Sequence, residues 1–94
     1  MKKTVDSVSD IGTVLRAVRK SSGIRIDDLA GMVGVSKQFA SDVENGKDTV
    51  QMGRVFRLLR ELGVRVSVEF HDSAAAELER LVQRAAQKRD ADGE

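Results

Sequence analysis

Lys37, Gln38, Ser41 and Asp42 are polar side chains at helical spacing, and Phe39, Ala40 and Val43 form an apolar stripe on the other side of the same turns. Their chemistry is recognition by hydrogen bonding. A lysine can donate to guanine O6 and N7, and a glutamine can pair bidentately with adenine N6 and N7. Asp42 can accept from cytosine N4, exclude wrong sites by repulsion, or simply pair with a nearby Lys or Arg. Ser36 stands where a cap is needed, with a hydroxyl that can also meet a phosphate. Lys47, just past Gly46, would face the phosphate backbone. These positioning contacts carry no base information of their own. Phe39 reads as core, with contact to a thymine methyl as the alternative.

Bond-making chemistry finds no support. His71 is the single histidine and there is no cysteine, so no zinc site of the usual kind can form. The serines lack His/Asp partners at any recognisable spacing, the glycines form no phosphate-cradling loop, and no carboxylate pair lies in an apolar context. The sequence therefore predicts no catalytic residues, no cofactor, no metal and no small-molecule substrate.

The polar quartet needs a helix presented at a fixed angle. Residues 26 to 33 carry Leu29, Ala30 and Val33 on one side, Gly34 permits a sharp reversal, and Ser36 to Asn45 form the second helix. Two short helices joined this way are the arrangement that places a helix in a groove about 12 Å wide. Ahead of them, Ser9 or Ser7 caps a helix with Ile11, Val14, Leu15 and Val18 on its apolar side, Arg16, Arg19 and Lys20 on the wet side, and Gly23 at its end. Behind them, Thr49 is positioned to cap a helix whose face is Met52, Val55, Phe56, Leu59 and Leu62, stopped by Gly63.

From Leu15-Arg16 to Leu62-Gly63 the chain resembles the five-helix DNA-binding domains of the phage Cro and lambda-repressor type, and within them the HipB antitoxins. The residues that carry the resemblance are Val35-Ser36-Lys37-Gln38-Phe39, Ser41-Asp42-Val43-Glu44-Asn45-Gly46-Lys47, and Val55-Phe56-Arg57-Leu58-Leu59-Arg60-Glu61-Leu62-Gly63. Such domains usually open the first helix of the motif with a Thr-Gln pair that touches phosphate and braces the reading helix. Arg25 and Ile26 occupy those positions here. Arg25 can supply a phosphate contact, whereas Ile26 has no side-chain hydrogen bond with which to brace Gln38. The candidate DNA-binding set is thus Arg25, Ser36, Lys37, Gln38, Ser41, Asp42, Asn45 and Lys47. The resemblance also implies an antitoxin that restrains a HipA-type kinase toxin and represses its own operon.

Val64, Val66, Val68 and Phe70 alternate with Arg65, Ser67, Glu69 and His71, a period of two that predicts a β-strand. A lone strand must find a partner for its backbone, and the abundant identical partner is the same strand of a second copy. Those four apolar residues are therefore the expected dimer interface. Residues 72 to 89 read as a trailing helix with Leu78, Leu81, Val82 and Ala85 on one face, free to pack on the dimer, to dock a partner protein or to extend into solvent. Asp90-Ala91-Asp92-Gly93-Glu94 reads as a frayed acidic tail.

Ninety-four residues support one small core, and with no disulfide or metal available, oligomerisation is the expected source of further buried area. The net charge is +1. Residues 1–70 hold 12 basic and 9 acidic side chains, and residues 71–94 hold 4 and 6, so the basic excess sits with the candidate DNA-binding part. An excess this small predicts affinity from a dimer reading a particular site. No apolar run is long enough to span a bilayer and no leader is apparent, which with the absence of cysteine predicts a cytoplasmic protein.

The expected architecture is mainly α: a flexible arm (1–8), a lambda-repressor-like helix-turn-helix domain (9–63), one C-terminal β-strand pairing across a dimer (64–71), and a helix with its acidic tail (72–94). The expected function is a homodimeric, sequence-specific repressor that binds double-stranded DNA at an inverted-repeat operator, with a HipA-like toxin as a second partner. A stand-alone repressor and a protein-interaction module that has lost DNA reading are the alternatives.

Overall fold

The computed structural model describes residues 1–92. Five α-helices follow in order: α1 Val8–Ser21, α2 Ile26–Val33, α3 Lys37–Glu44, α4 Met52–Glu61 and, after a 3-10 turn at Asp72–Ala74, α5 Ala75–Asp92. Each of the first three begins or ends where local chemistry requires. Ser7 starts α1 by accepting from the Asp10 N–H at 3.1 Å, which settles the cap in favour of Ser7 over Ser9. Gly34 ends α2 at φ 75°, a left-handed conformation that turns the chain straight into α3. Ser36 starts α3 by accepting from the Phe39 N–H at 3.0 Å.

The core is built from Leu15 of α1, Leu29 and Ala30 of α2, Ala40 and Val43 of α3, and Val55, Leu58 and Leu59 of α4. Ile11, Ile24, Ile26, Val33, Val35, Phe39 and Val64 pack around it, half-buried. The apolar stripes of α2 and α3 thus lie in or against the core as expected, and of the α1 stripe Leu15 and Ile11 do. Gly12 lies where α1 crosses α3, and a Cβ there would run into the Val43 carbonyl oxygen and lie 2.9 Å from that of Glu44. The two backbones can meet this closely only because residue 12 has no side chain.

Several expectations are corrected. Helix α4 is preceded by Gln51, which makes no side-chain cap, so Thr49 does not cap it. Its buried face is Val55, Leu58 and Leu59, while Met52 and Phe56 are exposed, because the stripe is rotated toward Leu58. Arg19 is not on the wet side of α1. Its side chain retains only 12% of its accessible area. No strand is formed among the described residues: 64–71 carries no ladder, since a strand needs a second one to pair with and a single copy offers none. Val64 belongs to this chain's own core periphery, its N–H donating to the Leu59 carbonyl at 2.9 Å as α4 closes. Val66, Val68 and Phe70 remain exposed. Residues 90–92, expected to fray, continue α5, and the rest of the acidic tail, Gly93 and Glu94, lies outside the described residues. Among the described residues, no helix is long and apolar enough to cross a membrane.

Candidate nucleic-acid interface

Helix α3 is held at both ends by its neighbours. At its start, Phe39 is half-buried against the core, and the Arg54 guanidinium of α4 lies over its ring at 5.9 Å from the centroid. At its end, Arg19 of α1 grips Glu44 with two parallel bonds, Nε to Oε2 at 2.6 Å and the second terminal nitrogen to Oε1 at 2.9 Å. The remaining Arg19 terminal nitrogen donates to the Ile24 carbonyl at 3.0 Å, so the same side chain ties α1, the loop before α2 and α3 together. The bond to Glu44 raises the Arg19 pKa above its ordinary value against the opposing effect of burial. Only 4% of the Glu44 side chain is accessible. Phe39 thus packs against the core, in line with the reading preferred from the sequence.

With the buried side of α3 fixed this way, its other side carries the candidate contacts. Lys37 and Gln38 are exposed in the first turn. Gln38 Nε2 donates to Asp42 Oδ1 at 2.8 Å, and Asp42 Oδ2 lies 3.6 Å from Lys47 Nζ. Gln38, Asp42 and Lys47 therefore form one chain of contacts along the helix. Asp42 pairs with a nearby lysine here, one of the roles open to it from the sequence. Ser41 and Asn45 line a polar recess of about 220 Å³ together with Arg16, Arg19, Ile26 and Glu44. Arg25 stands apart from both groups, exposed and paired with Asp27 at 3.3 Å.

Sequence reasoning missed the Arg19–Glu44 pair and the place of Arg16 beside Ser41 and Asn45. A signal for the pair was present in the spacing. Arg19 follows the buried Leu15 by four residues and Glu44 follows the buried Ala40 by four, so each charge continues an apolar stripe. Ile26, which replaces the usual glutamine, packs against the core and lines the recess beneath Ser41 and Asn45. Its position leaves Gln38 braced by Asp42 within α3 and not by α2.

Residues 15–68 match the Helix-turn-helix family model. The chain belongs to the helix-turn-helix family, in its Cro and lambda-repressor type. It is similar to the HTH-type transcriptional regulator y4mF of Sinorhizobium fredii, 41% identical over 68 residues that cover 72% of this chain and 90% of the relative. This helix-turn-helix regulator also shares its fold with solved HipB structures. One is a HipA-HipB-O2-O3 complex, with a TM-score of 0.68 and 20% identity over 76% of this chain and 100% of the other. Another is a HipB-O4 20mer complex with the same score, identity and coverage. The family match ends at residue 68, before α5.

Proposed function

We propose that this helix-turn-helix regulator is a homodimeric repressor that inserts α3 of each copy into successive major grooves of an inverted-repeat operator. The observation that carries the reading is the division of α3 into two sides. One is locked by the core and by Arg19–Glu44, and the other exposes Lys37 and Gln38 at the helix start. A reading helix needs that rigidity, because base contacts discriminate only when donors and acceptors arrive at fixed places. Ser36, Arg25, Asn45 and Lys47 serve as flanking contacts to phosphate. The 64–71 segments of two copies pair across the two-fold axis, which covers Val66, Val68 and Phe70.

The antitoxin role follows from the resemblance to HipB and is supported by the fold shared with the HipB of a HipA-HipB complex. In this reading a HipA-like toxin is the second partner, and the operator lies ahead of the shared operon.

Binding-site selection from randomised duplexes tests the proposal. The enriched sites should be inverted repeats with half-sites centred about 34–36 Å apart, bound at least roughly a thousandfold more tightly than a scrambled duplex at physiological salt. Enrichment of no common sequence, with equal affinity for all duplexes, would leave the fold as a protein-interaction module. Co-purification with the product of an adjoining kinase-like gene tests the toxin separately.

A further inference from the structure

Helix α5 is the largest element that the helix-turn-helix domain leaves unexplained. Its substantial contacts are with the 3-10 turn that leads into it, and from Ala75 to Asp90 every side chain except Ala86 is exposed. Leu78, Leu81 and Val82 keep between 45% and 55% of their accessible area. Leu78 and Leu81, with Ala74 and Glu77, line an open apolar groove of about 550 Å³, whose other wall is Val68 and Phe70. An apolar face of this kind on a small protein needs a cover.

The charges identify what covers it. From Asp72 to Glu79 there are three acids and no base, and from Arg80 to Arg89 there are four bases and no acid, before Asp90 and Asp92 end the helix. The helix dipole favours such charges only within the first and last turns. Glu79, Arg80 and Arg84 lie too far inside α5 for that, so the segregation extends through the middle of the helix. A segment that is acidic over 72–79 and basic over 80–89 is complementary to itself when the second copy runs antiparallel. Antiparallel is also the arrangement that a two-fold axis crossing the helix imposes.

We propose that the α5 helices of two copies of this chain pair antiparallel about the two-fold axis, centred near Leu81. Leu78, Leu81, Val82 and Ala85 meet their counterparts, and Glu77 of each copy faces Arg84 of the other. The bond from Arg80 to Glu77 within each helix, 2.9 Å from Nε, is exposed on both sides and leaves Glu77 able to share its carboxylate. Helix α5 thereby adds a second layer of dimer contact beyond the 64–71 segment. The inference rests on the homodimer proposed above.

Full-length single variants and their mixtures test it, with dimer dissociation followed by sedimentation equilibrium. Glu77→Arg and Arg84→Glu should each weaken the dimer about tenfold, since each places two like-charged pairs at the interface. An equimolar mixture of the two variants should regain wild-type affinity to within about threefold, because the heterodimer restores opposite charges at both ends. The double variant should recover in the same way. The chain has no cysteine, so single replacements report geometry cleanly. Leu81→Cys should form a disulfide-linked dimer on oxidation and Ala75→Cys should not. Linking through both positions would mean parallel helices and overturn the proposal. A wild-type dimer unaffected by either charge reversal and unlinked at residue 81 would overturn the α5 pairing while the 64–71 dimer stands, leaving the apolar stripe to a foreign partner. A monomeric wild-type protein would overturn both.

Discussion

Arg19 reaches from the last turn of α1 to Glu44 at the end of α3 and holds both carboxylate oxygens, with bonds of 2.6 and 2.9 Å. Among the described residues, no other ion pair joins the first helix to the candidate reading helix. Removing one partner leaves the other charge desolvated and unpaired, which costs far more than the pair itself contributes. Arg19→Met or Glu44→Leu should each destabilise the fold by about 3 kcal/mol, lowering Tm by roughly 10–20 °C in thermal unfolding. The double variant, with two apolar groups in place of two charges, should recover most of that loss. A double-variant loss equal to the sum of the two single losses would mean that the pair is not coupled.

Gly12 works at the same contact from the other direction. A methyl group there meets the Val43 and Glu44 carbonyls, and backbone cannot swing aside as a flexible side chain can. Gly12→Ala should therefore push α1 off α3 and cost about 1–3 kcal/mol, despite alanine's better helix propensity. Because the shift moves α3 itself, operator affinity should fall even at temperatures where the variant is fully folded by circular dichroism. A gain in stability would show that the close approach of the two helices is not maintained in solution.

These two residues mark the limit of what the sequence made legible. Periodicity located α1, α2 and α3, the reversal at Gly34 and the Ser36 cap, because each depends on neighbours within one or two turns. The Arg19–Glu44 bond joins residues 25 apart, and only the folded chain brings them together. The exposed Met52 and Phe56 illustrate the opposite failure. Both fit an apolar stripe on α4, yet the core selected Leu58, since a helix rich in apolar residues offers more than one face and packing decides between them. The 64–71 segment shows the third kind. Its alternation is plain in the sequence, but a ladder depends on a second chain.

Lys37 and Gln38 present the exposed start of α3, so truncating either should remove base contacts without disturbing the core. Lys37→Ala and Gln38→Ala should each cost about 1–3 kcal/mol per half-site on the selected operator, with Tm unchanged. Relaxed preference at one base-pair position should accompany each loss in a repeated site selection. Unchanged affinity for both variants would move base reading away from α3.

Asp42 holds two candidate contacts at once, accepting from Gln38 and pairing with Lys47. Its removal should loosen Gln38 while releasing Lys47 toward the phosphates. For Asp42→Ala the ratio of operator to scrambled-duplex affinity should fall, and binding to both should depend more steeply on salt. The added slope of log K against log salt should be about one per half-site, as expected for one further phosphate neutralised. A slope identical to wild type would show that Lys47 already contacts DNA with Asp42 in place.

Val64 and Val66 lie two residues apart in the same alternating segment, yet they do different work. Val64 packs on the core of its own chain, whereas Val66 keeps 48% of its accessible area and is available to a second copy. Val64→Asp should therefore lower Tm. Val66→Asp should leave the monomer folded and place a charge in the shared face, so that light scattering reports a single chain. Operator binding then loses the tethering of one half-site to the other, and affinity for the inverted repeat should drop by roughly 10²–10⁴-fold toward that of an isolated half-site. A Val66→Asp protein that stays dimeric, with operator affinity intact, would relocate the interface to the exposed Met52 and Phe56 of α4 or to α5 alone.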